Sequence, residues 1–105
     1  MWLVDPTKMC RQHLIGEHLE MHMFAGAILK EKRVQGYMDK GLLDPRLINE
    51  RHDALAAEMV RRGYVHTSPL TFVGIAGLGI NQGHVDAEAS FVELKRRCAA
   101  CRARA

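Results

Sequence analysis

The sequence has no long run free of charge. Its nearest approach, Gln12 to Leu29, still carries Glu17, Glu20 and three histidines, which makes it a poor membrane span, since crossing takes about 20 mainly apolar residues. The N-terminus lacks the basic segment and apolar stretch of an export signal, so the cytoplasm is the expected compartment. Cysteine is scarce and odd in number, at three. Three thiols behind no export signal do not make a disulfide framework and point to free thiols or a metal. Beyond a recurring Asp-Pro pair there is no internal repeat. The glycine-rich run from Gly74 to Gly79 lacks the Lys and Ser/Thr of a P-loop and opens no immediate helix, which excludes a phosphate-cradling loop.

What is present reads as one globular domain spanning residues 1–105, long enough for a modest core and too short for two. With 48% apolar and 26% charged residues it is not a disordered chain. A net charge of +3 fits a nucleic-acid partner without requiring one. The cations gather at Lys30, Lys32 and Arg33, at Arg61 and Arg62, and at Lys95, Arg96, Arg97, Arg102 and Arg104. Each group sits near the end of a predicted helix, where it also complements the macrodipole.

An all-α fold is expected. Asp5-Pro6 and Asp44-Pro45 are helix-start signals, because Asp accepts from free amides and Pro has none to waste. They predict helices over about residues 6–31 and 45–62, the second stopped by Gly63. A short helix is expected around Gln35 to Lys40, ended by Gly41, and a last helix from near Asp86 to about residue 100. Between Tyr64 and Val85, Ser68-Pro69 and glycines at 74, 77, 79 and 83 predict a loop.

The first helix holds the chemistry. Apolar residues point nearly all round it, which predicts a central helix and the most buried one. At 100° per residue, His13, Glu17, Glu20 and Phe24 share one face, and His18 and His22 the opposite side. Carboxylates on a buried stripe are costly unless paired or used, so Glu17 and Glu20 are site candidates, the alternative being ion pairs with Arg or Lys of neighbouring helices. His18 and His22, four residues apart, have the spacing to grip a metal or to serve as hydrogen-bonded boundary residues.

The run Gln12-His13-Leu14-Ile15-Gly16-Glu17-His18-Leu19-Glu20, continuing to Ala25-Gly26-Ala27-Ile28, resembles the signature helix of the pyrimidine-dimer DNA glycosylases, also called phage-type endonuclease V. The stretch from Arg51 to Tyr64, ending in a basic pair, Gly and an aromatic, is similar to a later helix of that family. The resemblance implies a helical DNA-repair glycosylase with abasic-site lyase activity on damaged duplex DNA, at pyrimidine dimers or abasic sites, with no cofactor required for catalysis. It implies an N-terminal amine that attacks the sugar and forms a Schiff base. Here that is the amine of Met1, which bulky Trp2 is expected to protect from removal. An α-amine suits the task because part of it is neutral and nucleophilic at neutral pH. The matching glutamate is Glu20, and His13 matches a histidine at the DNA-facing site. Arg11, Arg51, Arg61 and Arg62 are the expected DNA contacts. Two departures stand out: Leu19 and Met23 replace arginines that flank the family's glutamate, and the N-terminus is about two residues shorter, roughly 7 Å of extended chain.

Cys98-x-x-Cys101 and Cys10-x-x-His13 are each a pair of ligand-type residues three apart. A zinc held by Cys10, Cys98 and Cys101 with a histidine (His13, His66 or His84) is the implied structural cofactor, the alternative being thiols with no ligand. Two functions follow. One is the glycosylase; the other is a non-catalytic, metal-stabilised helical module binding DNA or protein. The separation of the Met1 nitrogen from the Glu20 carboxylate distinguishes them, because catalytic groups must come within hydrogen-bond reach.

Overall fold

A computed structural model describes residues 1–66, 68–70 and 83–105. Among them every regular element is helical: α1 (Arg11–Leu29), α2 (Gln35–Asp39), α3 (Ile48–Arg61), α4 (Ala87–Arg97) and α5 (Ala99–Arg104), with 3-10 turns at Pro6–Lys8 and Pro45–Leu47. The fold is all-α, as expected. Gly74, Gly77 and Gly79 of the expected loop lie outside the described residues. No helix among those described is long and apolar enough to cross a membrane.

Both Asp-Pro pairs open 3-10 turns and not the α-helices expected of them. Asp5 accepts from the Thr7 amide at 3.0 Å and Asp44 from the Arg46 amide at 3.1 Å. Accepting two residues ahead closes a tight turn instead of capping a wide helix. After the first turn Met9 and Cys10 are extended, so α1 starts at Arg11 and not near residue 6. After the second the chain runs directly into α3. The last helix is likewise cut in two, because Cys98 is extended and its sulfur accepts from the Cys101 amide at 3.4 Å.

α1 packs against α3. Leu14, Met21, Phe24 and Ile28 of the first meet a core shared with Ile48, Leu55 and Met59 of the second, sealed by Met9, Leu43 and Leu94. Each such side chain, fully buried, contributes about 1.5–3 kcal/mol. The expectation that α1 is the most buried helix does not hold. It buries 7 of its 19 residues, whereas α3 buries 7 of 14. Leu19 and Met23 stand 62% and 48% exposed, so the apolar residues all round α1 include a solvent-facing stripe.

α2 ends as expected at Gly41, whose φ of +70° is the left-handed stop that glycine adopts without strain. The Leu42 amide then donates back to the Tyr37 carbonyl at 2.8 Å. This reversal turns the Leu42 carbonyl toward the N-terminus. At Gly83 (φ +126°) a side chain would meet the Leu43 carbonyl at 2.5 Å, so only glycine lets the segment leading to α4 lie against this turn. The N-terminal segment bends at Leu3, held at φ +56°, a left-handed conformation that costs a non-glycine residue about 1–2 kcal/mol.

Candidate functional site

These turns bring the start of the chain to the middle of α1. The buried Met1 amine hydrogen-bonds to Glu20 Oε1 and donates to the Leu42 carbonyl at 3.0 Å. The shorter N-terminus therefore does reach the glutamate. Glu20 is one-third exposed and opens with the amine into a cleft of about 420 Å3, walled by Trp2, Tyr37, Lys40, His84 and Arg97 among others. The N-terminal amine, a carboxylate in hydrogen-bond contact with it and the cations Lys40 and Arg97 thus share one concave surface.

Glu17, one turn earlier, is not part of it. Its carboxylate is buried and takes both arms of Arg51, from Nε at 2.6 Å and from the terminal nitrogen at 2.9 Å. The Glu17 alternative of an ion pair is the one realised. Arg51, an expected DNA contact, is 6% exposed and paired with Glu17. Arg62 is also mostly enclosed, bridging Glu58 at 2.7 Å and the carbonyls of Pro6 and Met9 at 3.0 and 2.7 Å. It ties the first turn to α3. Arg61 reaches Glu58 but stays exposed, and Arg11 lies 5.2 Å over the Tyr64 ring. Only these two of the four expected DNA contacts face solvent. The Arg61 and Arg62 guanidiniums hold the Glu58 carboxyl down to about 2.

His13 is turned elsewhere as well. Its Nδ1 sits 3.2 Å from Cys10 Sγ and 3.6 Å from Cys101 Sγ, and Cys10 Sγ is 3.8 Å from Cys98 Sγ. The four ligand atoms all lie within 4.8 Å of one another. The three cysteines converge as expected, and His13, not His66 or His84, completes the set. His13, expected at the DNA-facing site, has its Nδ1 turned to the Cys10 and Cys101 sulfurs. Its ring edge does meet Trp2, with centroids 6.0 Å apart, so the thiol cluster buttresses the N-terminal segment. The Cys10 amide donates to Cys101 Sγ at 3.2 Å. The amide of Cys101 draws the Cys98 thiol below its ordinary range, whereas burial pushes the Cys101 thiol up to about 12.

A second cluster joins α1 to α3. His18 Nε2 lies 3.0 Å from His52 Nε2 and 2.9 Å from His66 Nε2, and the Nε2 atoms of His22 and His52 each lie 3.1 Å from the Ser68 carbonyl. Burial first, then repulsion from the other three imidazoles, pushes His18 down to about 4.

Sequence reasoning missed Lys40, Tyr37 and His84 at the cleft. Lys40 precedes the Gly41 stop, and that turn was the available signal, because a residue at a helix end beside a reversal is carried toward whatever the reversal faces. It also missed the burial of Arg51 and His52. Both fall on the Ile48, Leu55, Met59 stripe of α3, a spacing that marks the core face.

Fold and cleft together define a helical protein with its N-terminal amine paired to a glutamate. A family profile described as pyrimidine dimer DNA glycosylase matches residues 1–72, and the chain belongs to that family. The match takes in Met1, Glu20 and the α1–α3 pair, and ends before Cys98 and Cys101. No curated protein and no solved structure matches the chain.

Proposed function

We propose that the chain is a bifunctional DNA glycosylase and abasic-site lyase, acting on damaged duplex DNA through the Met1 amine and Glu20. The observation that carries this reading is the Met1 amine hydrogen-bonded to Glu20 at the floor of an open cleft. Glu20 accepts a proton from the ammonium, leaving a neutral amine to attack C1′ of the damaged nucleotide. The C1′ to base bond breaks and its electron pair leaves with the base, which takes up a proton. Opening of the sugar ring gives an imine to the Met1 nitrogen. A base then removes a C2′ proton, and the electron pair expels the 3′ phosphate, cutting the strand. Glu20 is the carboxylate in reach for that step. The target nucleotide has to leave the stack to meet so recessed an amine. Lys40, Arg97, Arg61 and Arg11 supply cations for phosphates.

Cys10, His13, Cys98 and Cys101 are proposed to hold a structural zinc. A tetrahedral ion with bonds of about 2.3 Å to sulfur and 2.0–2.1 Å to nitrogen separates two sulfurs by about 3.8 Å and sulfur from nitrogen by about 3.5 Å. The separations of 3.8, 3.6 and 3.2 Å between these atoms fit that set. The zinc takes no part in the sugar chemistry; it would fasten α5 to the segment that delivers Met1.

The test is borohydride trapping on an abasic-site duplex. The expected result is a covalent adduct mapping to the N-terminal peptide and absent when the α-amine is acetylated. No adduct on abasic or pyrimidine-dimer duplexes would overturn the enzyme reading in favour of the binding module.

A further inference from the structure

The histidine cluster lies outside the glycosylase chemistry and apart from the thiol cluster. His52 decides its character. Its Nδ1 is 2.9 Å from Asp53 Oδ1, so that nitrogen carries the hydrogen and donates to the carboxylate. A neutral His52 then has a lone pair at Nε2. That lone pair points at His18 Nε2, 3.0 Å away, and at the Ser68 carbonyl oxygen, 3.1 Å away. Atoms facing each other in a buried place need a hydrogen or a cation between them, and the contact of a neutral His52 with the Ser68 carbonyl has no hydrogen of its own. His18 Nε2 has the same difficulty, since one ring position is asked to serve both His52 and His66. There are more converging acceptors than protons to share.

We infer that His18, His22 and His52, joined by His66, form a second metal site that binds a divalent transition ion of the zinc class through imidazole nitrogens alone. Neutral imidazoles suit zinc among the first-row ions. A carboxylate on the far nitrogen of a ligating histidine is the usual outer partner of such a site, fixing the tautomer and the ring, and Asp53 stands in that place. The ligand atoms of His18, His22 and His52 lie within 4.8 Å of one another. A tetrahedral ion would set pairs of nitrogens about 3.3 Å apart, so His18 needs to part from His52 and from His66 by only a few tenths of an ångström, and His22 is already within 4.8 Å of the set. A cleft lined by His52, His66, Pro69 and Leu70 gives entry from solvent. The bound ion would link α1, α3 and the segment after Tyr64.

The experiment is metal stoichiometry on the full chain, stripped with chelator and reloaded with zinc or cobalt(II) chloride. Two ions per chain are expected. His22→Ala, at the half-exposed rim, and Asp53→Asn, on the surface, should each weaken one of them by at least tenfold without unfolding the core. Cobalt in that site should show visible bands without the near-ultraviolet thiolate charge transfer given by the other. A Cys98→Ser, Cys101→Ser double variant should lose the thiolate band and keep the imidazole-bound ion, so failure of the structural zinc and failure of this inference are separable. A wild type in which no ion answers to His22 and Asp53 overturns it.

Discussion

Glu17 and Glu20 sit one turn apart on the same helix and have opposite fates. Glu17 is sealed from water and holds Arg51 in a two-bond grip; Glu20 is one-third exposed and holds the Met1 amine at a cleft. The residue type does not separate them. The partner does, because a guanidinium offers two parallel donors that fix a carboxylate in place, whereas an amine offers a single point of contact. Exposure does too, since a group must meet substrate to act on it.

The comparison breaks most visibly in stability. Glu17→Gln leaves Arg51 as a buried charge without its counter-charge, and denaturant unfolding should show a loss of about 3–5 kcal/mol. Glu20→Gln should leave stability within about 1 kcal/mol of wild type. In activity the order reverses: strand cleavage should fall at least about 100-fold in Glu20→Gln, the usual contribution of a positioned acid or base. Glu17→Gln, assayed where it is folded, should cleave nearly as wild type does. Equal losses of cleavage in the two variants would show that the distinction drawn from burial is wrong.

The thiol cluster sharpens the comparison, since through His13 and Trp2 it supports the segment that brings Met1 to Glu20. Cys101→Ser should lower single-turnover cleavage about tenfold, a size typical of changes around a metal site, and leave the Glu17–Arg51 pair untouched. A cleavage rate equal to wild type in that variant would mean that Met1 is positioned without the cluster.

Glu58 supplies a third carboxylate, of the Glu17 kind. Its folded value of about 2 lies below its ordinary 4.5. Its contribution to stability is therefore present above about pH 4.5 and lost as pH falls toward 2. Between those values wild type should lose stability more steeply than Glu58→Gln, by at most about 1.4 kcal/mol per pH unit for one proton. Acid unfolding curves of equal slope would show that Arg61 and Arg62 do not hold it down.

Much of this was legible in the chain. Helix content follows from periodicity, the Gly41 and Gly63 stops from glycine chemistry, and Glu20 from its place in the signature run. The thiol cluster was visible as two half-motifs at opposite ends of the sequence. Legibility failed where one residue had two eligible partners. His13 fits a DNA-facing site by the family resemblance and a thiol cluster by spacing, and the packing of α5 against the first turn carries the thiols to its ring. Arg51 reads as a surface cation by type and as a core residue by position. The Asp-Pro pairs signal that a turn of helix begins, but whether it widens into an α-helix depends on what the next residues pack against.

The smallest expected effect concerns the exposed stripe beside Glu20. Leu19 and Met23, at 62% and 48% exposure, occupy positions where the resemblance places arginines. If that face of α1 lies against DNA, the present protein meets it with apolar surface and draws its phosphate contacts from Lys40, Arg97, Arg61 and Arg11. Leu19→Arg and Met23→Arg should then each add about one phosphate contact, steepening the fall of log affinity with log salt by about 0.9 per contact. The change is modest because an exposed cation at the rim is worth under about 1 kcal/mol at ordinary ionic strength. Stability should not move, since neither side chain is buried. Binding of undamaged and damaged duplexes should tighten alike, because phosphate contacts carry no lesion information. Titrations at several salt concentrations that give parallel lines for wild type and both variants would place the DNA on another face, and with it the approach to Glu20.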